Sequence, residues 1–240
     1  MPELAVGNIR VGIFGKLPAY ADFLSRDLPP SFLEPWDRWL HQSLAAGRNR
    51  ANWQATYLAS PIWRFQITAG VCGDSAWAGI LMSSIDRVGR CYPMTVALPV
   101  PPLVDAAALM QSWRDGFQAL ESLALAALDG SIDISTFIEL AGGVPARAPL
   151  PMLARPRARR AMPPAGPWVV DLNLPPGGLG SMTLGMVEML LGGSFGGVSV
   201  FWHTDWAEQP SRGVLAVGLP DAEATASLFD GDWQRMGGFS

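Results

Sequence analysis

Trp77-Ala78-Gly79-Ile80-Leu81-Met82-Ser83-Ser84-Ile85-Asp86-Arg87-Val88-Gly89-Arg90-Cys91-Tyr92-Pro93-Met94-Thr95-Val96-Ala97-Leu98 is the stretch on which the fold turns. An apolar run from Trp77 to Ile85 meets a charged turn, Asp86 to Arg90, and a second run follows from Tyr92 to Val100. Just upstream, Trp63, Phe65 and Ile67 alternate with Arg64, Gln66 and Thr68, the period-two pattern of a strand with one face buried. Gly70 to Ser75 supply the turn between that strand and the next. Loops this short predict antiparallel neighbours, because parallel pairing needs a crossover of about a dozen residues or more.

Working outward, Val11 to Gly15 read as a first strand, and a loop from Lys16 to Pro30 follows, punctuated by Pro18, Pro29 and Pro30. Ser31 and Glu34 form a capping box for a helix that carries Phe32, Leu33, Trp36, Trp39, Leu40 and Leu44 on one face and stops near Gly47. Pro35 falls in the tolerated first turn of that helix. Asp105 is expected to cap a long helix to about Gly130, with Leu109, Trp113, Phe117 and Leu120 as its buried stripe, and Asp133 a shorter one. Six prolines and five arginines between Gly142 and Pro167 predict a surface loop at about 143–167 in place of regular structure. Beyond it come strands at Trp168–Leu172, Val198–Trp202 and Val214–Leu219, a helix at Met182–Leu191, and a helix opened by Asp221 through Phe229. The expectation is an α+β fold: one domain over residues 1–240, with a largely antiparallel or mixed sheet and helices packed on its faces.

Composition narrows the function classes. With 49% hydrophobic and 16% charged residues, the chain can build a substantial core and is not disordered. A net charge of −4 argues against a nucleic-acid partner, which requires a basic footprint. Every hydrophobic run is interrupted before it could cross a bilayer, and the first ten residues have no secretory pattern, so a cytoplasmic protein without membrane insertion is expected. Cys72 and Cys91 read as reduced thiols in apolar surroundings.

Enzyme templates fail one by one. Gly192-Gly193-Ser194-Phe195-Gly196 fits the spacing of a nucleophile elbow, but a helix-like run precedes it and a strand follows, the reverse of what that elbow needs. A serine hydrolase using Ser194 is therefore kept only as the alternative reading. Gly12, Gly15 and Lys16 have the wrong spacing for a phosphate loop, and Leu17 replaces the metal-binding hydroxyl. Two histidines and two scattered cysteines make no metal cluster. No catalytic residue, metal or cofactor is assigned.

The charged turn has two readings. Asp86 can cap the turn's amides and pair with Arg87 or Arg90, or an outward guanidinium can dock an acidic or phosphorylated partner. Lys16, the chain's sole lysine, and Asp22 lie in a loop that is either solvated or partner-facing.

These residues also carry a resemblance. Gly15-Lys16-Leu17-Pro18 with Asp22-Phe23, Trp36-Asp37, and Ser84, Asp86 to Arg90 and Pro93 resemble the signature of the TagF (ImpM) family of type VI secretion accessory proteins, mainly over Val11 to Val100. The chain departs from that pattern at Tyr20-Ala21. The resemblance implies a cytoplasmic, non-enzymatic repressor that acts after translation by contact with the forkhead-associated scaffold protein of the secretion system. It makes Lys16, Asp22, Asp86, Arg87 and Arg90 the candidate partner-binding residues; a structural subunit of the apparatus is kept as a further alternative beside the hydrolase.

Overall fold

Eight strands form one sheet in the order β2-β1-β5-β4-β3-β7-β8-β6, and every neighbouring pair is antiparallel. They are β1 (Gly12–Gly15), β2 (Leu24–Arg26), β3 (Trp63–Ile67), β4 (Ala76–Met82), β5 (Met94–Val100), β6 (Val169–Asn173), β7 (Val198–His203) and β8 (Arg212–Val217). The computed structural model describes residues 9–101, 106–150, 197–204 and 211–232, and the backbone of 169–173. The expected helix at 182–191, the glycine-flanked Ser194, Asp105 and most of the Pro/Arg-rich stretch lie outside the described residues. The fold is α+β with a single sheet, as the periodicities predict.

Helices cover both faces of that sheet. On one face lie α1 (Pro30–Gly47), α2 (Trp53–Leu58) and α7 (Ala222–Asp230); on the other lie α3 (Ala106–Ser112), α4 (Arg114–Leu128), α5 (Ile134–Gly142) and α6 (Val144–Arg147). The alternation within each strand sorts its side chains between the two cores. In β4, Ala76, Ala78, Ile80 and Met82 face the α3–α6 side while Trp77 and Leu81 face α1. Trp63, Phe65 and Ile67 of β3 also join the α1 core.

Both faces of β3 are buried, which corrects the one-sided reading of that strand. The polar Arg64 is covered by α4, where its Nε and Nη2 donate to the Glu121 carboxylate at 2.6 and 3.0 Å and its guanidinium lies 5.4 Å from the Phe117 ring centre. A bidentate ion pair satisfies the charge that burial would otherwise penalise. Alternation therefore identified the strand but not what lay on its second side.

Helix α1 buries Phe32, Trp36, Trp39, Leu40 and Leu44, and each fully buried large apolar side chain contributes about 1.5–3 kcal/mol. Its indoles also satisfy their polar ends: Trp36 Nε1 donates to Thr95 Oγ1 at 2.9 Å, and Trp39 Nε1 to the Pro220 carbonyl at 2.8 Å. The helix begins differently from the capping box expected at Ser31. Pro29 is the N-cap, with no side-chain cap bond, and its carbonyl accepts from the Phe32 and Leu33 amides at 3.0 and 3.0 Å. Pro30 starts the helix because its fixed φ is already helical and the N–H it lacks would have had no partner there. Pro35 consequently lies inside the helix and not in its first turn.

Three further expectations change. The long helix after Asp105 is two, α3 and α4, broken at Trp113 (φ −121°, ψ 26°). The Trp113 indole is buried, donates to the Ala148 carbonyl at 2.6 Å and lies so close to Gly116 that a Cβ there would stand 2.2 Å from the ring. Tertiary seating of that ring outweighs helical continuity. The loop from Lys16 to Pro30 contains β2, and the proline-rich stretch opens with α6. By contrast, Asp133 and Asp221 cap their helices as read, accepting from the Thr136 and Ala224 amides at 2.8 and 2.8 Å. Cys72 is a free buried thiol that burial pushes up to about 12, and Cys91 is free and half-buried.

Gly79 of β4 is a sensitive point, because a Cβ would stand 2.0 Å from the Val96 carbonyl oxygen and 2.9 Å from the Ala97 Cα, neither of which can yield without disturbing the β4–β5 ladder. Gly79→Ala is expected to destabilise by about 1–3 kcal/mol or more, read as a lower urea midpoint. An unchanged midpoint would contradict this packing.

Candidate functional site

Sheet register brings the signature residues together. Strand β1 pairs with β5, Phe14 opposite Thr95, so the loop leaving β1 at Gly15 runs beside the β4–β5 connection as it enters β5. Gly15 has φ +129°, and a Cβ there would stand 2.1 Å from the Pro93 carbonyl oxygen. Glycine permits both the backbone angle and the close approach. Lys16 and Asp86, 70 residues apart in sequence, then meet with Nζ to Oδ2 at 2.8 Å.

Asp86 is the centre of the corner. Its Oδ1 accepts from the Val88 and Arg90 amides at 3.0 and 2.9 Å, and its Oδ2 from Lys16 Nζ and from Arg90 Nε at 2.6 Å. The turn is closed by an isolated bridge, Ile85 to Cys91, by the Asp86 amide donating to Arg90 O at 3.1 Å, and by the Gly89 amide donating to Asp86 O at 2.9 Å. Burial opposes the Asp86 charge, but Lys16, the Arg90 amide and guanidinium, and the Val88 amide together hold the carboxyl well below the usual carboxylate range.

The first loop is fastened to this turn through its backbone. The Arg87 amide donates to Tyr20 O at 2.9 Å, Arg90 Nη2 donates to Ala21 O at 2.8 Å, and Ser84 Oγ donates to Lys16 O at 2.6 Å. Carbonyl contacts at Tyr20 and Ala21 do not depend on side-chain identity, so the departure from the family pattern there leaves the joint intact. Tyr57 of α2 braces the other flank: its hydroxyl accepts from the Ser84 amide and donates to the Ser84 carbonyl, both at 2.9 Å.

An aromatic group lies alongside. The Phe23 ring is 4.6 Å from Tyr92 in an edge arrangement, and Lys16 Nζ is 5.0 Å from the Phe23 centre. The Tyr92 hydroxyl donates to Asp37 of α1, and His41 Nδ1 is 3.0 Å from the same carboxylate. Burial, then the Asp37 carboxylate, pushes the Tyr92 phenol well above its usual range.

The candidate residues thus divide. Lys16 and Asp86 are 6% and 1% exposed and hold the corner together from within. That corrects the solvated reading of Lys16, which lies within the corner. Asp22, Arg87 and Arg90 are exposed. Arg90 is nonetheless engaged by Asp86 and Ala21, whereas the Arg87 side chain has no partner among the described residues. Sequence reasoning missed Phe23 and Val88 as surface residues, 45% and 67% exposed. The signal was available for Val88, since an apolar residue between two arginines at a tight tip has no strand to bury it. Nothing local pointed to Tyr57.

Among the described residues, no three of His, Cys, Asp and Glu gather as a metal site. His203 is buried edge-on against Trp63, 4.6 Å between rings. No helix of the described residues is long and apolar enough to cross a membrane.

Comparison with known proteins bears on the family and the fold. A family model described as the TagF N-terminal domain, type VI secretion system-associated, matches residues 12–142. The crystal structure of PA0076 from Pseudomonas aeruginosa PAO1 is similar at 31% sequence identity, covering 92% of this chain and 94% of that one, with a TM-score of 0.68. No curated protein matches the chain.

Because its folded-state pKa is depressed, Asp86 binds protons less readily in the folded protein than in the unfolded chain. Its stabilising contribution is complete above the ordinary carboxylate value of about 4 and is lost as pH falls from there toward the depressed value. Asp86→Asn is expected to lower the melting midpoint by several degrees at pH 7 and to flatten the acid limb of the stability profile below about pH 4. A variant that kept the wild-type midpoint and acid slope would remove Asp86 from this role.

Proposed function

The chain belongs to the TagF family of type VI secretion-associated proteins, and on that premise we propose that it is a non-enzymatic, cytoplasmic regulator. It restrains secretion after translation by contact with the forkhead-associated scaffold protein of the apparatus. The observation that supports a contact role is where the signature residues go. Lys16, Ser84, Asp86 and Arg90 join two loops into a fixed corner whose outer side presents Arg87, Val88 and Phe23. Residues that fasten a surface suit recognition of another protein, whereas a reaction needs convergent groups around a substrate-sized recess.

Lys16 illustrates the difference. Its ammonium is committed to Asp86 and lies over Phe23, so it does not point from a glycine loop toward a phosphate. The restraint works by occupancy: scaffold bound to this chain is unavailable for assembly.

In a strain that normally restrains its type VI apparatus, deletion of the gene is expected to raise secretion, and the full chain is expected to capture the scaffold protein from cytosol. Ser194→Ala should restore restraint as well as the wild type does. Secretion that stays at its ordinary level after deletion would overturn the regulatory reading, and loss of restraint in the Ser194 variant would favour the hydrolase.

A further inference from the structure

We propose that Phe23, Arg87, Val88 and Arg90 form a docking surface for an acidic segment of a protein partner that also carries an apolar side chain. This rests on the regulator reading and deepens it by assigning the chemistry of the contact.

Charge at the tip is arranged asymmetrically. The turn's one carboxylate, Asp86, is directed inward and shared with Lys16, while both guanidiniums are on the outside. Arg90 is held by Asp86 through Nε and by Ala21 through Nη2, which orients its plane. The Arg87 amide is fixed to Tyr20, but its side chain is uncommitted among the described residues. One oriented and one free guanidinium suit carboxylates presented side by side.

Apolar surface stands between and beside them. Val88, 67% exposed, has the greatest exposure of the large apolar side chains exposed among the described residues. Its amide donates to Asp86 at 3.0 Å, so that exposure belongs to a fastened turn and not to a frayed one. Phe23, 45% exposed, packs one side on Tyr92 and follows closely on Tyr20 and Ala21, the two residues bonded to the tip. A surface already fixed by its own hydrogen bonds loses little freedom on binding.

The neighbouring acids distinguish a protein from a polyanion. Asp22 is exposed beside Phe23, Asp37 is half-exposed, and the chain as a whole carries −4. Nucleic acid or an anionic membrane would be repelled around the basic tip, whereas a short acidic segment meets only the tip.

The test measures binding of the purified scaffold protein by the full chain and by Arg87→Glu, Val88→Asp and, as an exposed control away from the tip, Leu125→Asp on α4. Arg87→Glu and Val88→Asp are expected to weaken binding by about tenfold or more while Leu125→Asp leaves it unchanged, with melting midpoints near wild type for all three. Wild-type binding with Arg87→Glu and Val88→Asp equally tight would overturn the surface and leave the regulator reading standing. No binding by the wild type would remove that reading and this surface with it. Arg87-dependent binding to phosphatidylglycerol vesicles, or self-association abolished by Val88→Asp, would replace the acidic protein segment by a membrane or a second copy.

Discussion

The Asp86 carboxylate is the constraint on which the signature corner depends. Two amides of its own turn and two cations donate to its oxygens, one cation arriving from a loop 70 residues away. Without that charge Lys16 would be a buried ammonium with no counter-ion, and the tip would lose the acceptor that folds it back on itself. Besides its contribution to stability, the ion pair sets register, because Lys16 and Asp86 satisfy each other's charge only when the two loops meet. It ensures that the first loop and the β4–β5 connection meet in one arrangement.

That arrangement explains why so many family-signature residues are inward-facing. Gly15 makes room for Pro93, Trp36 anchors to Thr95, and Asp37 receives Tyr92. A signature of this kind marks the scaffold of a surface. The exposed residues of the tip, Arg87 and Val88, derive their position from the Tyr20 carbonyl and the Asp86 carboxylate that their amides bond.

Legibility followed the range of the determining contacts. Strands β3 to β5 were visible because alternation and short turns are local, and Asp133 and Asp221 were visible as caps because their partner amides lie three residues on. The break at Trp113 was not, since the carbonyl that seats its indole belongs to Ala148. Ser31 and Glu34 had the right letters for a cap, but Pro29 and Pro30 had already started the helix. At the corner, Asp86 capping its turn was readable; its bond to Lys16 was not, because only the β1–β5 register brings those loops together. The same register made Lys16, a lone lysine in a loop, structural.

Strand β3 is the seam of the sheet: β4 lies on one side of it and β7, starting at Val198, on the other. As the polypeptide leaves the ribosome, β1 through β5 can pair early, yet the outer edge of β3 stays unpaired until β7 has been synthesised. Phe201, which packs on Trp36, Trp39 and Phe65, arrives with that late strand, so aromatic surface waits open for the same interval. Nascent chains stalled before β7 consequently present an adhesive strand edge beside bare indoles, the combination that chaperones recognise and that drives aggregation when they are scarce.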